Sequence, residues 1–473
     1  MDSDLDIAKF GGTSVGNFAA MTSSYKVAIS NPHTRLVVIS ACSGVTNILV
    51  ELASGTCSSD KIEENLKKLR SIHQEIIDGM GGNPELTAAI EQHLAEIKAL
   101  TEEANMGCSD ELTDRLVSHG ELMSSLLFTA LFGHYGTDAV WFDVREVMRT
   151  DSNFGCATPL TEVIASLAKQ KLLPLLKGDA IVITQGFIGS NSCGQTTTLG
   201  RGGSDYSGAL LGEALDAATI SIWTDVPGVY TSDPRVVSGA RPIAELTYME
   251  AAEMANFGAK VLHPATIAPA VRKHIPVFVG SSREPEKGGT WVRHSVKSRP
   301  PFRAAAVRKN QTLIILSSPR MVGAFGFLAR VFAVFAKYRR PVDLVSTSEV
   351  SIAVTMDAGT NTSGKATLPE GLLEDLRNFC SVKVEQDLAL VAIIGNDLSA
   401  TPGVTTRAFD ALEEYSVKMI CYGASNHNLC FLVNSDEAEG ALIKIHQHLL
   451  EPEKAGTESA KTDGAVPAGV MTA

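Results

Sequence analysis

The sequence predicts an α/β protein in which a parallel-rich sheet flanked by helices is followed by two small ferredoxin-like βαββαβ modules. Three observations carry that prediction. Residues 5–10 (Leu-Asp-Ile-Ala-Lys-Phe) read as a short strand broken by Gly11-Gly12, followed by a helical stretch over 16–30 and a buried strand over 35–41. Strand, glycine turn, helix and strand is the grammar of a parallel sheet. Residues 60–104 are polar with apolar positions at helical spacing, and a further helix over 110–133 carries Glu121. In the last third, the chain repeats itself at an offset of about 75–78 residues.

The remaining elements follow in order. Strand-like runs at 138–143, 180–184, 219–223 and 276–279 extend the first domain over residues 1–295. Residues 294–301 (His-Ser-Val-Lys-Ser-Arg-Pro-Pro) read as a linker. In the repeat, Thr312–Ser317 matches Leu390–Gly395 and Gly326–Tyr338 matches Gly403–Tyr415. Val342–Ser346 likewise matches Val417–Cys421, and Ser351–Thr355 matches Asn428–Leu432. Closing helices are expected near 369–379 and 436–450. The modules then occupy 312–386 and 387–450, with 296–311 as linker and possible donated strand, because the second copy lacks its own final strand. Residues 451–473 have no periodicity and predict a disordered tail.

The chain has 473 residues, 44% hydrophobic and 20% charged, with a net charge of −12. That acidity excludes non-specific nucleic-acid or anionic-membrane binding, and an anionic ligand would need a local cationic pocket. The N-terminus has no cationic, apolar leader, and no apolar run reaches the ~18 residues a membrane span needs. The eight cysteines form no C-x-x-C pair, as expected for reduced thiols in a cytoplasmic protein.

Four segments carry chemistry. Lys9-Phe10-Gly11-Gly12-Thr13-Ser14 places a lysine and glycine N–H groups at a strand end ahead of a helix, an anion-binding arrangement. Thr196–Tyr206 sets Arg201 and Asp205 on the glycine-rich stretch Gly200-Arg201-Gly202-Gly203-Ser204 before a helix, where arginine can grip a carboxylate through paired hydrogen bonds. Trp223–Arg235 and Phe257–Pro264 are the others. A G-x-x-x-x-G-K match at Gly359–Lys365 ends in Ala366, where a metal-binding hydroxyl belongs, and reads as a surface loop.

Jointly, Lys9–Val15, Val117–Ser124 (VSHGELMS), Thr196–Tyr206, Trp223–Arg235 and Phe257–Pro264 resemble the signatures of aspartate kinases of the amino-acid kinase superfamily, and the two repeats resemble ACT domains. The likeness runs from residue 5 to about 450 and is nearest to monofunctional, lysine-sensitive bacterial enzymes of the aspartokinase III type. It implies the amino-acid-kinase fold, MgATP and L-aspartate as substrates, Mg²⁺ held chiefly by phosphates and water with no protein ligands, and a homodimer or homotetramer. It also implies roles. Lys9 and Lys260 flank the transferred phosphate, and Asp205 holds Lys9. Gly11, Gly12 and Ser40 donate hydrogen bonds, while Thr224, Asp225, Tyr230, Arg235 and Val261 hold the nucleotide. Arg201 clamps the substrate α-carboxylate and Glu121 meets its ammonium. Thr46, Gly202, Gly203 and Ser204 complete the substrate pocket.

For regulation the resemblance implies an L-lysine site at a dimer interface, formed by Met321, Ala324, Phe327, Leu328, Pro341, Val342, Asp343, Ser348 and Glu349. Asp343 and Glu349 are the anions that two ammonium groups need. Val322-Gly323-Ala324-Phe325 stands where relatives carry polar side chains, and Pro341 has no N–H to donate, so weaker lysine binding is expected. Two readings compete: a sister kinase with another acceptor, and a non-catalytic amino-acid sensor built on the ACT pair.

Overall fold

A computed structural model describes residues 5–258, 262, 264–357 and 368–451. The first strand, β1 (Asp6–Phe10), is buried along nearly its whole length. A 3₁₀ turn, Gly12–Ser14, leads into α1 (Phe18–Ser30), whose N-terminus is capped by the Asn17 side chain accepting from the Ala20 N–H at 2.8 Å. Next come β2 (Thr34–Ile39), α2 (Val45–Leu52), α3 (Ser59–Gly79), α4 (Pro84–Met106) and α5 (Asp110–His134). The polar block thus folds as two amphipathic helices, α3 and α4, that lay Leu69, Ile76, Ile90, Leu94 and Ile97 on the core. Helix α5 is apolar and long enough to cross a membrane by composition, yet 78% of that window is buried inside the protein. It is the core helix against which the sheet packs.

The sheet continues with β3 (Ala139–Phe142), a helical segment of α6 (Thr161–Leu167), a π turn and α7 (Leu173–Leu176), then β4 (Ile181–Gln185). The hairpin β5 (Ile188–Ser190) and β6 (Thr196–Thr198) precedes α8 (Gly203–Leu215) and β7 (Thr219–Thr224). The domain closes with β8 (Glu245–Thr247), α9 (Tyr248–Asn256), α10 (Pro264–Lys273), β9 (Val277–Ser281) and β10 (Gly289–Arg293). Strand order is β3-β4-β2-β1-β7-β9-β10-β8, with every neighbour parallel except β9 and β10.

The second sheet is built from β11 (Phe302–Ser317), α11 (Phe327–Lys337), β12 (Val345–Thr347), β13 (Ser351–Asp357), α12 (Glu370–Arg377), β14 (Ser381–Gly395), α13 (Val404–Asp410), β15 (Met419–Tyr422), β16 (Asn428–Asn434) and α14 (Ala438–Leu449). Its order is β12-β13-β11-β14-β16-β15. The strand β11 serves both modules. Its first half, Phe302–Arg308, lies antiparallel to Leu390–Gly395, and its second half pairs with β13 and with Ser381–Glu385. Residues 311/312 and 386/387, where the sequence divides linker and modules, therefore lie inside continuous strands. Each long strand has a positive-φ residue at that point, Asn310 (φ 61°) and Asp387 (φ 56°), types that tolerate the left-handed region. The second-copy helix stops at Asp410, and Ala411 and Leu412 reach the core through turns. The expected loop at Gly359–Lys365 and nearly all of the expected tail lie outside the described residues.

Candidate functional site

The candidate residues gather where an open α/β sheet presents its ligand crevice, at the carboxyl ends of parallel strands. Phe10 stands level with Ile39 and Trp223, Ile39 with Gln185, and Trp223 with Gly280. Five loops leave this rim side by side. The Gly11 N–H is already committed to the Trp223 carbonyl at 2.9 Å, and the Ser40 N–H to the Phe10 carbonyl at 3.2 Å. Backbone donation at Gly11 and Ser40 thus holds the rim together, and the Ser40 hydroxyl makes no hydrogen bond among the described residues. Gly12 is required sterically, because a Cβ there would sit 2.8 Å from the Ala41 carbonyl. Ser14 and Ser282 lock two loops through a 2.6 Å hydroxyl contact.

Lys9 is buried to 7% exposure, and its ammonium contacts the Asp205 carboxylate. The lysine stem runs against Gly208, where a Cβ would lie 3.4 Å from Lys9 Cβ. Asp205 sits in the first turn of α8, whose start is set by Gly202 at φ 69° after Gly200 at φ 75°. Gly203 admits the Phe187 ring, which a Cβ would meet at 2.7 Å. Ser204 is half-buried beside Gly186. Arg201, on the same loop, is exposed and makes no ion pair or hydrogen bond among the described residues. Thr46 is half-buried in the first turn of α2, entered through Gly44 at φ 83°.

Glu121 projects from α5 toward the same region. It is 3% exposed, and its Oε2 has no hydrogen-bond partner among the described residues. Burial pushes its carboxyl up to about 8, against smaller opposing pulls from the Ala41 N–H and the Lys9 charge. A buried, half-satisfied carboxyl beside a crevice is the group a ligand ammonium would complete.

On the far side of the rim, Thr224 donates to Asp225 at 3.0 Å, with Asp225 exposed and Tyr230 half-buried. Arg235 is exposed and paired with Asp233 at 2.7 Å, which raises its pKa. Lys260 and Val261 lie outside the described residues. Their flanks are anchored: Phe257 is buried, and Gly258 at φ 108° packs so tightly on Val307 that a Cβ would meet that carbonyl at 2.7 Å.

Two positioning residues escaped the sequence reading. Asp114, buried on α5, accepts from the N–H groups of Gly155 and Thr198 at 2.9 Å and from the Thr198 hydroxyl at 2.7 Å, fixing the strand that leads to Gly200. Glu250 caps α9 with Thr247 in a capping box, and the Thr-x-x-Glu spacing could have signalled it.

The regulatory candidates all lie in the first module, before and after β12 in the chain. Met321, Phe327 and Val342 pack partly on the first module's core. Ala324, Leu328, Pro341, Ser348 and Glu349 are exposed, as is β12 throughout. Asp343 contacts Arg308, which also reaches Asp357 at 3.1 Å, so this carboxylate already has a cation. Ser348 is occupied with Ser351 at 2.7 Å.

Comparison with known proteins agrees with this architecture. Residues 5–281 match the Amino acid kinase family and residues 391–449 an ACT domain. The chain is 52% identical over 450 residues to the lysine-sensitive aspartokinase 3 of Escherichia coli (strain K12), spanning 95% of this chain and 100% of that protein. It is 34% identical to the chloroplastic aspartokinase 3 of Arabidopsis thaliana, over 99% of this chain and 84% of the relative. It superposes on the crystal structure of E. coli aspartokinase III in complex with aspartate and ADP (R-state) with a TM-score of 0.87 at 51% identity, covering 94% of this chain and 100% of that one. Against the complex with lysine and aspartate (T-state) the TM-score is 0.79, again at 51% identity, covering 95% and 100%.

Proposed function

Because the chain belongs to the amino acid kinase family, among the aspartokinases, we propose that it transfers the γ-phosphate of ATP to the β-carboxylate of L-aspartate, forming 4-phospho-L-aspartate. One observation carries the reading: a buried Lys9–Asp205 pair and a ligand-seeking Glu121 meet at the carboxyl ends of parallel strands.

The nucleophile needs no general base. A β-carboxylate with a pKa near ~4 is ionised at neutral pH. The difficulty is bringing an anion to a triphosphate, so catalysis is positioning and charge neutralisation. Lys9 supplies the charge and Asp205 fixes its direction. Gly12 and the Ser40 hydroxyl border the phosphates, with Gly11 holding the turn. Lys260 joins Lys9 at the phosphate, and Thr224, Asp225, Tyr230, Arg235 and Val261 border the nucleotide. Arg201 takes the substrate α-carboxylate, Glu121 its ammonium, and Thr46 and Ser204 the sides of the pocket.

Mg²⁺ enters with the nucleotide and neutralises charge on the phosphates. The donors here suit an ion that keeps its waters, because among the described residues the rim offers ammonium and hydroxyl groups beside the exposed carboxylate of Asp225.

The product opens the route to lysine, threonine and methionine. L-lysine bound near Met321, Phe327 and Val342 inhibits, and two chains pair through the ACT edge strands. A cytoplasmic setting accords with eight free thiols. A hydroxamate trap of the acyl phosphate, run with aspartate and MgATP and with lysine, threonine or methionine added, tests the reading. Absence of trapped product would leave the amino-acid-sensor alternative standing.

A further inference from the structure

Away from the strand ends, α4 and α5 enclose a cleft of ≈440 Å³ into which His93, Glu96 and His119 converge. The Nδ1 atoms of His93 and His119 are 2.9 Å apart, and Glu96 Oε2 is 3.9 Å from His119 Nε2. One donor atom from each of the three lies within 4.8 Å of the others. We propose that this cleft binds a divalent transition ion of the zinc type, with His93, Glu96 and His119 as three protein ligands and water in the fourth position.

The argument starts from placement. His93 and Glu96 stand three residues apart on α4, so they share a face, and His119 meets them from the packed helix α5. Two imidazoles and a carboxylate from facing helices are a recurrent way to hold a metal between helices. Bond lengths of ~2.0–2.2 Å place tetrahedral ligand atoms roughly 3.3 Å apart. The two rings need only separate by a few tenths of an ångström, and the exposed Glu96 closes the remaining gap by rotating.

The donor type selects the ion. Imidazole nitrogen favours zinc and its neighbours over magnesium, so the site is distinct from the ion that accompanies ATP. The other charges facing the cleft are already matched. Arg145 is paired with Asp143 at 2.6 Å and donates to Thr196 at 3.1 Å, and Arg115 faces Glu103 at 4.0 Å.

Such an ion would staple α4 to α5 two residues before Glu121. The test uses the full chain stripped of metal and titrated with Co²⁺, whose visible bands report tetrahedral coordination. The expected result is one equivalent per chain, with no thiolate charge-transfer band. In His93→Leu, and separately in Glu96→Gln, binding weakens by at least about 10-fold. Thermal midpoints should rise with Zn²⁺ in the parent chain and stay put in the variants. Kinase activity without added transition metal should be unchanged in both variants, showing that they fold. Three outcomes overturn the proposal: no uptake, uptake with thiolate bands, or unchanged affinity in Glu96→Gln, which alters an exposed side chain and leaves the core intact.

Discussion

Glu250 accepts a 2.7 Å hydrogen bond from Arg303 Nε and so ties the catalytic domain to the first strand of the regulatory sheet. The carboxylate is fully buried, and it also accepts from Asn396 Nδ2 at 2.7 Å and from the N–H and hydroxyl of Thr247 at 2.7 and 2.9 Å. It therefore touches the catalytic domain, β11 and the end of β14 at once. The helix it caps runs straight to Phe257–Gly258, the approach to Lys260.

Removing this carboxylate should be costly. Glu250→Ala strands the Arg303 guanidinium in a buried position and is expected to destabilise by about 3–5 kcal/mol, read from urea unfolding. The pair Glu250→Met with Arg303→Leu should lose much less, since both charges leave together. Equal losses would show that the pair contributes through packing alone.

The same group makes an acid limb. Burial pushes the Glu250 carboxyl up, but the Thr247 N–H, Arg303 and Asn396 outweigh it and hold the pKa below the usual 4.5. The unfolded chain then binds the proton more readily than the folded one. The stabilisation is complete above about pH 4.5 and disappears as pH falls through the depressed folded value. The urea-unfolding free energy of Glu250→Gln should therefore depend less on pH in that window.

Glu121 behaves oppositely. Its folded value of about 8 exceeds the ordinary 4.5, so the ligand-free fold retains a proton that the unfolded chain has lost. Stability due to this group falls as pH rises from 4.5 to 8. An incoming ammonium stabilises the carboxylate, so aspartate binding at pH 7 should release roughly one proton per site. Calorimetry in buffers of different ionisation enthalpy measures this, and Glu121→Gln should abolish it.

Lys9 and Arg201 separate chemistry from recognition. Lys9→Ala should lower turnover by at least about 1,000-fold with unchanged circular dichroism. Arg201→Ala should raise the aspartate KM by about 10–100-fold, the worth of a charge-assisted pair, and leave the ATP KM alone. A shift confined to the ATP KM would reassign the arginine.

Lysine inhibition should persist at reduced affinity. Pro341 is exposed beside the edge strand and has no N–H, so Pro341→Ser should tighten inhibition by about 2–10-fold. An unchanged inhibition curve would place the effector elsewhere.

Much of this was legible in the sequence because it is local. A lysine and two glycines at a strand end, or a glycine before Arg201, report their geometry within a few residues. The regulatory repeat announced itself by period. What was hidden depends on distant partners: Arg303 and Asn396 stand 53 and 146 residues from Glu250, and only the fold brings them together. The sequence reading ends a linker and possible donated strand at residue 311, whereas Asn310 bends a strand that continues on both sides. The raised Glu121 value follows from burial that no spacing reveals.

The sharing of β11 between modules sets the order in which the chain can assemble as it is made. Phe302–Arg308 leaves the ribosome before the first module, yet its partner Leu390–Gly395 follows roughly eighty residues later, about 4–16 s at ordinary elongation rates. Through that interval Phe302–Arg308 has no strand partner on either edge. The first module can pair all its strands from residues 311–385, whereas the second waits on a strand that precedes the first in the chain, so the two are tied into one regulatory unit.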